Sequence, residues 1–280
     1  MKRSLCLVQT ILSLCVAFIV TKSGTAWADT PKHNPPPSIK QVGIVLADPI
    51  AVNNADSDFA AGCGRWLFFY LGGQPQFGST SFWQSLERGR RELQKPNLQL
   101  SLSEAKQLTT WIGGTHFGVG TLSGGTRQTL RYRLYSLPHA TPIAPEVTVS
   151  GTQAEIVAGL PALARKLSTQ LGLASPELPK QVDLTPQEIT QIGSLVYIKN
   201  LHDSHIPLKP VRDLAERSPL AGIALLGNFP YRTTEETQSL AKTLPKLAPN
   251  HPFVWGFLFE KARNLFNQNT DSIKTSASRY

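Results

Sequence analysis

Residues 113–136 read Gly113-Gly114-Thr115-His116-Phe117-Gly118-Val119-Gly120-Thr121-Leu122-Ser123-Gly124-Gly125-Thr126-Arg127-Gln128-Thr129-Leu130-Arg131-Tyr132-Arg133-Leu134-Tyr135-Ser136. Two strand-like runs, Thr115–Leu122 and Thr129–Ser136, flank Ser123-Gly124-Gly125-Thr126, a glycine-bearing link of hairpin length. In the second run Leu130, Tyr132 and Leu134 fall on one face, and Arg131, Arg133 and Tyr135 on the other. Successive side chains of a strand point to opposite faces, so one side of this hairpin belongs to a core and the other to water.

The flanking sequence supplies helices to cover the apolar side. Ser101 with Glu104 forms a capping box, which predicts a helix through Leu108 to Ile112 that stops at Gly113-Gly114. Downstream, Glu146–Val149 reads as a short strand. Thr152 with Glu155 is a second capping box, opening a helix through Ile156, Leu160, Leu163, Leu167 and Leu171 that ends at Gly172. Upstream, 39–47 reads as a strand stopped by Asp48-Pro49. Asp56–Leu71 is a helix so apolar that it must be covered nearly all round, closed by Gly72-Gly73, and a short strand is expected near 77–83. The predicted fold is therefore α/β, a mixed sheet packed with helices, over 39–175.

After Ser175-Pro176 the pattern changes. Thr185-Pro186-Gln187-Glu188 is a capping box with proline at the first helical position. From there to Phe266 the signals are helical, punctuated by Pro207, Pro210, Pro219, Pro230, Pro249 and Pro252. Four or five short helices fit, giving a small all-α domain over 184–267, followed by a polar, disordered tail at 268–280.

The amino-terminal end reads as an export leader. Lys2 and Arg3 are followed by an apolar run from Leu5 to Val20, and Ala26-Trp27-Ala28 places small residues where a signal peptidase reads. A signal peptide over 1–28, cleaved before Asp29, is expected, with a proline-rich tether at 29–38. The apolar run is shorter than the roughly 20 residues that a membrane anchor needs. Cleavage after residue 28 of the 280 leaves 252, and loss of Lys2, Arg3 and Lys22 takes the formal charge from +9 to +6. A periplasmic or secreted protein of this charge meets lipid headgroups, cell-wall polymers and acidic proteins, so nucleic acid is not an expected partner; the charge is read either as keeping the protein soluble or as serving peripheral membrane association. Of three cysteines only Cys63 lies outside the leader. It shares a helical face with Phe59 and Tyr70, so a buried, inert thiol and no internal disulfide are expected.

Catalytic and cofactor motifs are mostly absent. Glycines 118, 120 and 124 miss dinucleotide-binding spacing, and a strand rather than a helix follows them. The serine of Gly120-Thr121-Leu122-Ser123-Gly124 sits at a hairpin tip, not at a strand-to-helix elbow. His202 and His205, flanking Asp203, are of metal-ligand type, but nearby prolines indicate a loop, so no metal or other cofactor is expected. His116 reads as a packed or edge histidine. Arg88, Arg90 and Arg91, close to Trp83, are candidates to clamp a phosphate or an acidic partner. Phe253, Trp255, Phe257, Phe259 and Phe266 hold more aromatic surface than one packing stripe uses, which marks Phe253, Trp255 and Phe257 as binding candidates.

The order of elements over about 39–173 resembles the TolB amino-terminal-domain-like family. The pieces carrying the resemblance are Val42-Gly43-Ile44-Val45-Leu46-Ala47, Phe59-Ala60-Ala61-Gly62, Trp111–Leu122, Arg131-Tyr132-Arg133-Leu134-Tyr135 and the helix from Thr152. Ala248-Pro249-Asn250-His251-Pro252 before an aromatic helix is similar to a tetratricopeptide-type segment. The resemblance implies binding and assembly at the cell envelope without a catalytic centre. The expected function is an exported, non-enzymatic binding or assembly protein of the bacterial envelope, with a protein or envelope partner docking on the helical domain or in the cleft between the two domains. The alternative is an exported hydrolase whose site is assembled from residues distant in sequence.

Overall fold

The computed structural model describes residues 43–72, 92–93, 98–173, 183–195, 208–227, 234–249, 251, 254–256 and 258. The expected leader, tether, 77–83 strand and polar tail lie outside them.

The core is a mixed six-stranded sheet. Strands β1 (Ile44–Leu46) and β2 (Ile50–Ala51) both run parallel to β3 (His116–Gly124). β3 pairs antiparallel with β4 (Gln128–Ser136), and β4 pairs with β5 (Thr141–Pro142) and β6 (Val147–Gly151). The hairpin is in unbroken register from His116↔Ser136 to Gly124↔Gln128, so the link is shorter than the sequence suggested and moves to 125–127. Gly124 makes this tight closure available. Its φ is 119°, and a Cβ there would meet the Arg127 carbonyl.

Helix α1 (Ser57–Gly72) is buried on most sides, as its composition requires. Helix α2 (Leu102–Trp111) and helix α3 (Gln153–Gln170) begin at Ser101 and Thr152, and both capping boxes are formed. The two faces of the sheet are covered differently. Leu46, Leu122, Leu130, Tyr132 and Leu134 form the face that packs with α1 and α3, and each is at most 2% exposed. On the other face, Val45, Ala47 and Phe117 cluster with Ala105 and Leu108 of α2 and with Leu98 and Leu100. Tyr135 adds a ring stacked on Phe117 at 5.2 Å. Helix α2 ends before it reaches the rest of that face, where Thr121, Arg131, Arg133, Thr148 and Ser150 are exposed. Leu130, Tyr132 and Leu134 point inward and Arg131 and Arg133 outward, as the alternation predicts.

Among the described residues the helices after the sheet include α4 (Pro186–Ser194), α5 (Leu208–Ala215), α6 (Pro219–Gly227) and α7 (Thr234–Leu247), each packed on the next. The Thr185 capping box is formed, with Pro186 in the first turn of α4. Pro210 does not break its helix. It sits in the first turn of α5, where its missing N–H has no intrahelical acceptor to lose. Helix α4 lies directly on α1. A Cβ on Gly62 would overlap the Ile189 carbonyl, and one on Gly193 would overlap the Asp58 carbonyl. Residues four apart on each helix thus form a reciprocal seam in which only glycine leaves room for the opposing backbone.

Lys40–Val254 form one compact unit, and the 175–184 linker falls within it. Trp255, Gly256 and Leu258 are the described residues of a second unit. No helix among the described residues is long and apolar enough to cross a membrane.

Candidate functional site

Three places gather polar or aromatic groups beyond what a plain core needs. The first is a buried polar knot at the end of β1. Asp48, 3% exposed, accepts a hydrogen bond from the Leu98 backbone N–H at 3.3 Å. Its Oδ2 lies 3.8 Å from Nε of Arg65, the lone cation of α1. Burial lifts the Asp48 carboxyl to about 6, although Arg65 and the Leu98 N–H both pull it down. Arg65 also donates through Nη1 to the carbonyls of Ile192 at 2.5 Å and Leu195 at 3.0 Å, at the carboxyl-terminal end of α4. A cation there meets the negative end of the helix dipole and satisfies carbonyls that the helix leaves open. Tyr132 Oη donates to the Ala47 carbonyl at 3.1 Å, and Gln99 Nε2 donates to the carbonyls of Pro49 and Ser57. This knot joins β1, α1, α4 and the 98–100 segment. Each contact serves the fold, and the sequence signal for it was one arginine inside an otherwise apolar helix.

The second place is the approach to the aromatic segment. The His251 ring stacks on Phe69 of α1 with centroids 4.0 Å apart and planes 4° from parallel. The ring Nε2 donates to the Phe69 carbonyl at 2.8 Å, as the neutral imidazole can. Burial holds its pKa down at about 4, outweighing the hydrogen bond to Phe69. Val254 is fully buried, whereas Trp255, the next residue, is 36% exposed and among the few large apolar side chains open to solvent. Phe253 and Phe257 lie outside the described residues, so the structure places only Trp255 of the three aromatic candidates.

The third place is the open part of the sheet face around Arg131 and Arg133. Thr121 of β3 lies opposite Arg131 on one side and Thr148 of β6 on the other. Thr129 and Ser150 are hydrogen bonded across β4 and β6 at 2.9 Å. Among the described residues, neither Arg131 nor Arg133 forms an ion pair; Arg127, in the hairpin link, is paired with Glu155 at 3.4 Å.

Arg88, Arg90, Arg91, His202 and His205 lie outside the described residues. Among those described, no group of three or more His, Cys, Asp or Glu is arranged to hold a metal ion. His116 sits on β3, half-buried, with Nδ1 2.8 Å from Thr115 Oγ1. Cys63 is fully buried, and burial pushes its thiol far above the ordinary range, so the nucleophilic thiolate is suppressed. Tyr70 is held up at about 12 by burial and by Asp183. No protein-family model, no curated protein and no solved structure matches this chain.

Proposed function

We propose that the protein is an exported, non-enzymatic binding or assembly component of the bacterial cell envelope, contacting a protein partner through the aromatic segment that begins at Trp255. The observation that carries this reading is the pairing of neighbours in that segment. Val254 is wholly buried, while Trp255, the next residue, keeps 36% of its surface in water. A large, partly exposed aromatic is the kind of side chain that dominates interface energetics. The leader expected at 1–28 and the resemblance of the sequence pattern to the TolB amino-terminal-domain-like family support the envelope setting. The titratable groups with the most displaced pKa values, Asp48, Cys63, Tyr132 and His251, are enclosed in the scaffold and pinned by neighbours, which suits a framework more than a reaction centre.

The test is site-specific photocrosslinking in intact cells, with a photoreactive residue at position 255 and, as control, at position 131. A discrete protein adduct is expected from 255 and not from 131. Trp255→Ala should weaken capture of that partner by on the order of tenfold or more, the effect of losing one interface anchor. It should leave the thermal midpoint nearly unchanged. Truncating a core aromatic costs about 3 to 5 kcal/mol, so a variant that simply unfolds would assign Trp255 to the core and end this reading. Turnover of a hydrolase substrate by the purified protein would also overturn it.

A further inference from the structure

We propose that the open face of the sheet docks on an anionic lipid bilayer, with Arg131 and Arg133 on the headgroups and Ile50 and Val52 at the apolar boundary. The register assembles this face from three separate stretches of chain. Ile50 of β2 is aligned with Thr121, Thr121 with Arg131, and Arg131 with Thr148, so one row across four strands reads aliphatic, hydroxyl, cation, hydroxyl. Partners in register point to the same side of a sheet. Ile50 is 41% exposed, and Val52, just beyond it, is 76% exposed and holds its backbone to Leu122 by a 2.9 Å hydrogen bond. Arg133 stands two residues from Arg131 on the same face, about 7 Å away.

Charge on this face has one sign across its strands. β3, β4 and β6 contain no Asp or Glu; the nearest carboxylate in sequence is Glu146, exposed one residue before β6. Arg127 is drawn off by Glu155 at the hairpin end, but Arg131 and Arg133 have no carboxylate partner among the described residues. A soluble anionic polymer would use the arginines and leave the exposed valine and isoleucine in water. A bilayer interface rewards both, since basic side chains settle on anionic headgroups while neighbouring aliphatics enter the acyl boundary. The edge strand places those aliphatics beside the cations, and the short hydroxyl side chains between them accept and donate to headgroup oxygens.

The two proposals rest on different residues, so either can fail while the other stands. The full-length chain is incubated with vesicles of equal parts phosphatidylcholine and phosphatidylglycerol, carrying a photoreactive residue in place of Val52 or, as control, in place of Arg165 on the exposed side of α3. The leader is common to both proteins, so its own affinity for lipid does not distinguish them. The expected result is lipid adducts from position 52 at least several-fold above those from position 165. The yield should fall in high salt and on phosphatidylcholine alone, and by on the order of tenfold in the Arg131→Ala/Arg133→Ala double variant. That variant should keep the parent thermal midpoint, because both side chains are exposed. Equal yields from the two positions overturn the proposal, as does a yield at 52 that ignores the double substitution. Abolition by a soluble phosphodiester polymer of adducts that do not depend on vesicle charge would also overturn it and assign the face to a polymer.

Discussion

At the scale of single residues, two buried titratable groups pull stability in opposite directions with pH. The folded state raises Asp48 from its ordinary 3.8 to about 6, so its contribution is fully present below about 3.8 and is lost as pH rises through 6. It lowers His251 from 6.5 to about 4, so that contribution is present above 6.5 and is lost as pH falls through 4. Between these limits the two nearly offset each other, and the parent protein should show a shallow pH profile. His251→Phe keeps the stack on Phe69 and removes the proton. Its midpoint should lie below that of the parent at pH 7, because the Phe69 carbonyl loses its donor. As pH falls from 7 to 4 the gap should close and then reverse, as measured by thermal melts. Parallel profiles would show that His251 is not held neutral. Cys63 gives a second check at this scale. In native protein the peptide carrying it should stay unlabelled by a thiol reagent that modifies it once denaturant is added; rapid native labelling would mean that the assigned buried face of α1 is wrong.

At the scale of elements, the seam between α1 and α4 is the contact least forgiving of change. Gly62→Ala and Gly193→Ala each drive a methyl into an opposing backbone carbonyl, which no rotamer change can relieve. Overpacking of a core costs about 1 to 3 kcal/mol, and these two belong at the upper end because the obstacle is backbone. Gly125→Ala, at the hairpin tip with nothing within 4 Å of the added methyl, is the control and should be close to neutral. Urea unfolding of the three variants decides it. If Gly62→Ala matches Gly125→Ala, the helices are not held at the separation described. The capping boxes at Ser101, Thr152 and Thr185 were legible because each is written within four consecutive residues. The glycine seam was not, since Gly62 and Gly193 stand 131 positions apart and neither carries a local signal.

At the scale of the whole molecule, the sequence by itself determined the kind of layers and their order. Period-two alternation in 129–136, capping boxes before apolar runs and glycine stops are local patterns, and the backbone obeys them because each satisfies its own hydrogen bonds and hides its own apolar face. They foretold the mixed sheet, the burial of Cys63 and the outward aim of Arg131 and Arg133. Which surfaces remain open was decided only by tertiary structure. Among the described residues Thr121, Arg131, Arg133, Thr148 and Ser150 stay exposed on one sheet face, and the parallel pairing of β2 with β3 carries Ile50 next to Thr121 across 71 positions of chain. The knot of Asp48, Arg65, Gln99 and Tyr132 likewise comes from four separate stretches, and no one of them announces the others. Of the candidate binding residues, Trp255 stood out in sequence as an aromatic in excess. Its exposure could not be read there, because burial is a property of the folded chain rather than of any residue.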